Sequence, residues 1–231
     1  MSLNNRKFNT TDGRLIEHGN SVVSFLPEDL EDFKAFDSTF GQPFVDQLKA
    51  GIDAVNQIKS DDVAVDEQTQ LTDQVRESME KCNKAFKTIA FFARKAFNGN
   101  ESIQNQLGFN DIAEARGSQL KMIDFMGSLA KTATKYKDQL IEAGMNPRVI
   151  DSLPELHQEL TEANNEQEMY KKERPSLTYE RVERLNKVYD MLLYVSDIAK
   201  IIYADNPARL NRYKMPTPRT STDSEDDLIT S

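Results

Sequence analysis

The side chains that most often carry chemistry are few in this chain. It has two histidines, His18 and His157, and a single cysteine. A ferritin-like di-metal site in a helical bundle needs glutamates together with Glu-x-x-His pairs that project inward. His157 instead follows Glu155 at a spacing of two, which puts the two side chains on different sides of a helix. The sequence therefore predicts no metal site and no cofactor.

Patterns for nucleophilic catalysis and for phosphate binding are also missing from the sequence. No Gly-x-Ser-x-Gly occurs, and neither Gly99 nor Gly108 belongs to a glycine-rich phosphate loop. Cys82 falls on the apolar side of a predicted helix, so we interpret it as a small buried hydrophobic residue. Glu166 and Glu168 are typical of a solvated helix face. We therefore expect no catalytic residues and no enzymatic activity.

The charge of the chain limits its partners. The net charge is −9 at pH 7 and the sequence pI is near 4.9, whereas a nucleic-acid binder needs a basic face. No apolar run approaches the length of a membrane span, and the first residues lack the apolar core of a signal peptide. We expect a cytoplasmic protein that binds neither nucleic acid nor membranes.

The spacing of the apolar residues predicts an all-α fold. They recur at intervals of three and four, the period of amphipathic helices. Five long helices are predicted, over residues 27–55, 67–97, 111 or 117 to 143, 147–170 and 178–204. The first is kinked or broken near Gly41-Gln42-Pro43, and Arg174-Pro175-Ser176 separates the last two. Short connections favour an up-and-down antiparallel bundle, with the second and fifth helices at its centre.

The two ends of the chain differ in composition from the middle and set the predicted domain limits. Residues 1–24 are polar and predicted to be loosely ordered, although Leu15-Ile16 and Val22-Val23 could pair as a short hairpin. Residues 216–231 are rich in Pro, Thr, Ser and Asp, which predicts a disordered acidic tail. The range 25–215 is the predicted bundle domain, and the sequence leaves open whether it holds one bundle or two subdomains.

Two of the predicted helices resemble each other. When residues 70–109 are shifted onto 176–215, their apolar positions coincide. Both helices also end in an aromatic residue followed three positions later by asparagine, namely Phe97 with Asn100 and Tyr203 with Asn206. The sequence leaves internal duplication and chance similarity of two bundle helices equally open.

The stretch from 144 to 213 carries a further pattern. It consists of Gly144-x-Asn146-Pro147, Ala163-Asn164-Asn165-Glu166-Gln167-Glu168, Thr178-x-x-Arg181-x-x-x-Leu185-Asn186-x-x-Tyr189 and Ile202-Tyr203-Ala204-Asp205-Asn206-Pro207-Ala208-Arg209. This part of the chain resembles a loose group of uncharacterised all-helical bundle proteins of Bacteroidetes-type bacteria. The resemblance implies a helical bundle and carries no assigned activity.

Three side chains are candidates for binding a partner. Phe91 lies nearly opposite the apolar seam of its helix, so it either packs against another helix layer or is exposed for a partner, and burial is the favoured interpretation. Lys131 and Lys135 lie with Lys137 on one edge of the third helix, where they could attract an acidic partner or form an ordinary solvated face. We expect a scaffold or protein-interaction function, with an unidentified protein partner or as a homodimer.

An alternative function is the binding of a small ligand between helices. Gln167, Tyr189 and Tyr194 occupy positions where their polar groups could orient a ligand in a cavity. They could also hydrogen-bond within the core, which is the more common role of such residues.

Overall fold

Helices are the only regular structure in residues 6–217, the part of the chain that this computed structural model describes. The all-α prediction is therefore confirmed. The predicted acidic tail lies outside the described residues from position 218 onward. The chain divides into two compact units: unit 1 consists of Met1–Asp61 and Pro175–Ser231, and unit 2 of Asp62–Arg174. The predicted range 25–215, which the sequence left open as one bundle or two subdomains, contains parts of both units.

The described residues form ten helices. They are α1 (Asp12–Phe36), α2 (Gln42–Asn56), α3 (Asp61–Ala96), α4 (Glu101–Gln106), α5 (Ile112–Ala115), α6 (Gln119–Lys135), α7 (Lys137–Glu142), α8 (Pro147–Asp151), α9 (Leu153–Ile202) and α10 (Pro207–Tyr213). The short helices lie mostly where the sequence predicted connections or helix ends.

The N-terminal hairpin prediction is wrong, because α1 covers both apolar runs. Leu15 and Val22 are two helical turns apart, so they share the buried side of α1 with Leu26 and Phe33. Gly19 and Pro27 interrupt this pattern in the sequence and hid its helical period. Pro27 lies inside α1 rather than at a helix start. The predicted break near Gly41-Gln42-Pro43 is confirmed, since α1 has ended before it and Gly41 is the N-cap of α2.

Each unit has its own apolar core. In unit 1, side chains of α1 and α2 pack with the unit 1 part of α9, and the fully buried ones include Leu15, Leu26, Phe33, Leu48, Ile52, Leu185, Leu192 and Val195. In unit 2 the core draws on α3, α6 and the unit 2 part of α9, and its fully buried side chains include Cys82, Ile89, Ala93, Leu107, Met122, Met126, Leu153 and Leu160. The predicted central helices thus contribute to different cores.

The predicted break at Pro175 does not end a helix, because α9 continues through it. A proline removes one backbone hydrogen bond and crowds the preceding turn, but it does not forbid helix on either side. Tyr170 before the proline donates to the carbonyl of Ala64 at 2.9 Å, and Arg181 after it is buried. Contacts within unit 2 keep the chain helical before the proline, and contacts within unit 1 keep it helical after the proline.

The ends of the two similar helices agree in local structure. Asn100 is the N-cap of α4 and accepts from the backbone N–H of Ile103, while Asn206 is the N-cap of α10 and accepts from Arg209, each at 3.2 Å. A short helix therefore follows each long one in the same way. This agreement supports duplication, which stays a prediction.

A buried carboxylate attaches α10 to α1. Asp29 is 2% exposed and accepts a hydrogen bond from the hydroxyl of Tyr213 at 2.7 Å. The guanidinium groups of Arg212 and Arg209 approach it at 3.4 and 3.7 Å. Burial, followed by the bond to Asp29, raises the pKa of Tyr213, so the phenol remains a neutral donor. Asp29 is therefore a structural residue with its partners in place.

A buried guanidinium completes the C-terminal end of α2. Arg181 is 6% exposed, and its Nη1 donates to the carbonyls of Val55 at 3.1 Å and Ile58 at 2.8 Å. Its Nε donates to Oδ2 of Asp12 at 3.0 Å. The last carbonyls of a helix have no partner within the helix, and this side chain supplies donors at that end. The carbonyl of Val55 also accepts from the backbone N–H of Ile58 at 3.1 Å.

Replacing Arg181 by methionine should lower the free energy of unfolding by about 2 kcal/mol, because the carbonyl of Ile58 loses this donor and Asp12 loses one of its two arginine partners. Urea unfolding followed by far-ultraviolet circular dichroism measures the change. Arg76→Met is the matched control, since Arg76 is exposed and forms an ion pair with Asp73 on its own helix. Equal losses in the two variants would contradict the role assigned to Arg181.

Candidate functional site

The two sides of α3 differ sharply in chemistry. Cys82, Ile89 and Ala93 recur at spacings of seven and four and are fully buried in unit 2. The opposite side is exposed and carries five cations and one aromatic ring: Lys81, Lys84, Lys87, Phe91, Arg94 and Lys95. A cationic surface of this kind contrasts with the net charge of −9 of the whole chain.

A groove of about 820 Å³ runs along this exposed side. We call it the basic groove, and its lining residues are Glu77, Glu80, Lys81, Asn83, Lys84, Lys87 and Arg116. Four cations face two carboxylates, so the lining has a formal charge of +2. Most of its surface is apolar, because the lysine stems lie along it. A groove of this composition suits a partner that is acidic and partly apolar.

The cations of the basic groove differ in how they are partnered. Lys81 forms an ion pair with Glu159 at 2.6 Å, and this hydrogen bond raises the pKa of Lys81. Arg116 Nε donates to Oδ1 of Asn83 at 2.9 Å. Within residues 6–217, no carboxylate forms an ion pair with Lys84 or Lys87. These two ammonium groups are therefore available for a bound anion.

Phe91 lies one turn beyond Lys87 on the same side of α3. Its side chain is 63% exposed, so the favoured interpretation, burial, is wrong. Its ring meets the ring of Phe92 edge-on, with centroids 5.1 Å apart, and Phe92 packs against the core. Phe91 is exposed because the buried side of α3 is already filled by the seam that contains Ile89. The alternative, an exposed ring, is what the structure shows.

The predicted lysine edge of the third helix is exposed but does not line the basic groove. Lys131 and Lys135 both lie on the surface of α6, and the ammonium of Lys135 is 4.9 Å from the ring centroid of Tyr136. Lys137, which begins α7, pairs with Asp151. The structure therefore places these lysines apart from the site formed by Lys84 and Lys87.

The three predicted ligand-cavity residues belong to different units. Gln167 is buried in unit 2, donates to Thr72 Oγ1 at 2.9 Å and accepts from Lys171 at 3.0 Å. Tyr189 and Tyr194 are in unit 1, where Tyr189 contacts the Phe8 ring and Tyr194 donates to Asp37. Gln167 and Tyr194 hydrogen-bond within their own units, and Tyr189 packs against a ring in unit 1.

A second cavity, a cleft of about 290 Å³, opens in unit 2 beside α6. Its lining residues are Gln106, Gly108, Asp111, Glu114, Ala115, Lys121, Asp124, Phe125, Ser128 and Leu129. Gly108 has a φ of 87°, and a Cβ there would lie 2.3 Å from the ring of Phe125. Only glycine allows this turn to lie against the ring. Lys121 pairs with Glu114, which leaves Asp111 and Asp124 to set the charge.

The remaining chemical side chains have structural settings. Among the described residues, no group of three or more His, Cys, Asp or Glu could hold a metal ion. His157 is half-buried in α9, and His18 lies in α1 with its Nε2 buried and lacking a hydrogen-bond partner in the described residues. Burial lowers the pKa of His18, so it favours the neutral ring. No described helix is long and apolar enough to span a membrane.

Sequence reasoning missed both cavities. The signal for the basic groove was present, because Lys84 and Lys87 lie on the side of α3 opposite Cys82 and Ile89. The sequence could not predict that Arg116 belongs to the groove. It follows the end of α5 and is 29 residues or more from the two lysines in sequence. The cleft lies between the predicted connection around Gly108 and the predicted third helix, which supplies Lys121, Phe125 and Leu129.

Comparisons of the chain with protein-family models, curated proteins and solved structures find no match. The structure by itself defines an all-α protein of two helical units, with a basic groove and a small cleft in unit 2.

Cys82 should resist alkylation in the folded protein. Its sulfur is buried, and burial raises the thiol pKa to about 11 from a reference of 9.0. At pH 8 that shift alone lowers the reactive thiolate fraction by about 100-fold. Mass spectrometry after timed exposure to iodoacetamide measures the rate, and the same protein in guanidinium chloride supplies the control. Similar rates in the two conditions would show that the thiol is accessible.

Proposed function

We propose that this chain is a non-enzymatic, cytoplasmic interaction protein that binds an acidic polypeptide segment in the basic groove. The observation that carries the proposal is the combination of Lys84, Lys87 and Phe91 on one exposed side of α3. Two lysines without an ion-pair partner in residues 6–217 attract carboxylates, and the exposed ring offers an apolar contact beside them. Partner binding of this kind combines charge attraction with burial of an aromatic anchor.

The geometry of α3 sets the pattern that a partner must carry. Lys84 and Phe91 are seven residues apart, which on a helix is about 10 Å. An extended peptide covers the same distance in about three residues. Side chains of an extended chain alternate between its two sides, so the best partner is an extended segment in which a carboxylate is followed two positions later by a large apolar side chain.

A labelled peptide tests this proposal. The probe is a fluorescein-labelled segment, Gly-Ser-Asp-Asp-Phe-Leu-Gly-Ser, and fluorescence anisotropy at low salt measures its affinity. Lys84→Ala/Lys87→Ala should weaken binding about tenfold, since each exposed ion pair contributes a fraction of a kcal/mol to about 1 kcal/mol. Phe91→Ala should weaken it by a similar factor through loss of apolar contact.

Lys131→Ala/Lys135→Ala is the matched control, because it removes the same charge from exposed positions of α6 outside the groove. It should leave the affinity within a factor of two. An equal loss in both double variants would show general charge attraction, and it would contradict a site on α3.

The cleft of unit 2 favours a second candidate function, the binding of a small cationic molecule. Asp111 and Asp124 supply negative charge, and Phe125 supplies a ring against which a cation can lie. A diamine such as putrescine is a suitable probe, because its ammonium groups match separate carboxylates. This function differs from the first in needing no polypeptide partner.

Thermal unfolding in the presence of millimolar putrescine or arginine tests the second candidate. A specific ligand raises the melting temperature with increasing concentration, because it binds only the folded state. Asp124→Asn should abolish the rise, whereas Asp138→Asn, at an exposed position of α7 that does not line the cleft, should leave it unchanged. A rise of equal size in all three proteins would contradict binding in the cleft.

A further inference from the structure

The exposed side of α3 carries two carboxylates as well as the two lysines. Glu77 and Glu80 are exposed, and they line the same groove as Lys84 and Lys87. Among the described residues, neither glutamate has an ion-pair partner, although Glu80 and Lys84 are at a spacing at which helices often form one. The surface therefore has an acidic part and, about one helical turn further along α3, a basic part.

The spacing of these charges is that of a helix surface facing a second helix. Glu77, Glu80, Lys84 and Lys87 follow one another at intervals of three, four and three residues, and Phe91 comes four residues later. Positions with this heptad spacing lie on one side of a helix, where they meet the matching positions of a helix lying alongside. The groove along α3 is thus suited to a helical partner as well as to an extended one.

The sign of the charges reverses about position 82. Glu80 and Lys84 lie two residues to either side of it. Glu77 and Lys87 lie five residues to either side of it. A second α3 that runs antiparallel, with the two-fold axis of the pair at this position, brings each carboxylate next to an ammonium group of the other copy. A parallel copy would instead bring like charges together.

We infer that the exposed side of α3 is a self-association surface, and that its occupant is the antiparallel α3 of a second copy of this chain. Glu77 of each copy pairs with Lys87 of the other, and Glu80 of each copy pairs with Lys84 of the other. The two-fold symmetry gives four ion pairs. The inference goes beyond the proposed function, because an acidic peptide and a second copy would compete for the same two lysines.

The exposed ring of Phe91 also finds a contact in this arrangement. Phe91 and Asp73 both lie nine residues from position 82, so the antiparallel pair brings the ring of one copy to Asp73 of the other. Arg76, one turn after Asp73, forms an ion pair with it at 3.0 Å, and its side chain is exposed. A guanidinium in this position can lie on the ring of the other copy, which covers apolar surface that a single copy leaves in water.

Sedimentation equilibrium of the full chain tests the inference. At about 0.15 M salt, which screens the repulsion between two copies of net charge −9, the average mass should rise from 26.3 kDa towards twice that value with increasing concentration. Glu77→Lys/Glu80→Lys and Lys84→Glu/Lys87→Glu should each weaken self-association at least about tenfold, because four attractive contacts become repulsive. An unmodified chain that stays monomeric at millimolar concentration would overturn the inference.

An equimolar mixture of the two charge-reversed variants gives the sharpest readout. One variant then has four lysines on this surface and the other has four glutamates, so the two should associate with each other at least as tightly as the unmodified chain does with itself. Recovery in the mixture would also show that neither variant had lost self-association by misfolding. Absence of recovery between variants whose circular dichroism is unchanged would overturn the inference.

Lys131→Glu/Lys135→Glu is the matched control, because it makes the same change in net charge at exposed positions of α6. It should self-associate within a factor of two of the unmodified chain. A loss equal to that of Lys84→Glu/Lys87→Glu would show that net charge, and not the surface of α3, governs the association.

Cross-linking of the unmodified chain tests the pairing without any variant. A carbodiimide joins a carboxylate to an amine that it contacts, and a mixture of unlabelled and isotope-labelled chains lets mass spectrometry recognise amides between copies. We expect amides between copies from Glu77 to Lys87 and from Glu80 to Lys84, and they should fall sharply in 1 M salt. Amides between copies only at other positions, or amides only within one copy, would contradict the antiparallel pair.

The labelled acidic peptide separates the inference from the proposed function, when it is added at protein concentrations at which sedimentation shows a monomer. A chain that binds the peptide through Lys84 and Lys87, yet stays monomeric at millimolar concentration and forms no amide between copies, would overturn the inference and leave the proposed function standing. A chain that self-associates with the expected charge dependence but does not bind the peptide would support the inference and contradict the proposed function.

Discussion

Burial of the apolar seam of α3 is the constraint on which the candidate site depends. Cys82, Ile89 and Ala93 are all fully buried, and together they fix the rotation of the helix about its axis. Lys84 and Phe91 lie on the opposite side, about 180° away, so they must face water while the seam stays in the core. Turning Phe91 inward would expose three or more core residues. Exposing each of the larger ones would cost about 1.5–3 kcal/mol. The basic groove is thus a consequence of how the core is filled.

Three buried polar side chains, Arg181, Asp29 and Gln167, have their partners within their own unit, which distinguishes them from the groups at the groove. Arg181 completes the end of α2, and Asp29 is surrounded by a tyrosine and two arginines in unit 1. Gln167 is bonded to Thr72 in unit 2. Buried polar residues with complete partners stabilise and specify a fold, and they have no capacity left for a ligand. Lys84 and Lys87, by contrast, are exposed and lack ion-pair partners within residues 6–217.

Much of the fold could be predicted from the period of the apolar residues, because long seams such as that of α3 are unambiguous. The errors occur where a local breaker opposed a tertiary preference. The sequence predicts a helix start at Pro27 and a break at Pro175, yet each proline lies inside a helix whose flanking residues are packed in a unit. Gly19 has no side chain, so the apolar pattern of α1 is interrupted in the sequence at that position. In the structure Ile52 approaches Gly19 closely, which favours a small residue there. Sequence spacing records such packing only indirectly.

The candidate site was harder to predict than the fold for a related reason. A seam is defined by residues on one helix, whereas a groove needs residues from elements that are distant in sequence, as Arg116 shows for α3. The sequence identified Phe91 as unusual, since a phenylalanine opposite a seam must find either a second layer or a partner. In the part of the chain that the structure describes, no second layer covers it, and 63% of the side chain is exposed. Leaving a phenylalanine largely in water forgoes part of the stabilisation that burial of such a side chain provides, about 1.5–3 kcal/mol. Phe91 lies next to Lys84 and Lys87, which have no ion-pair partner within residues 6–217, so the surface there combines apolar and cationic groups.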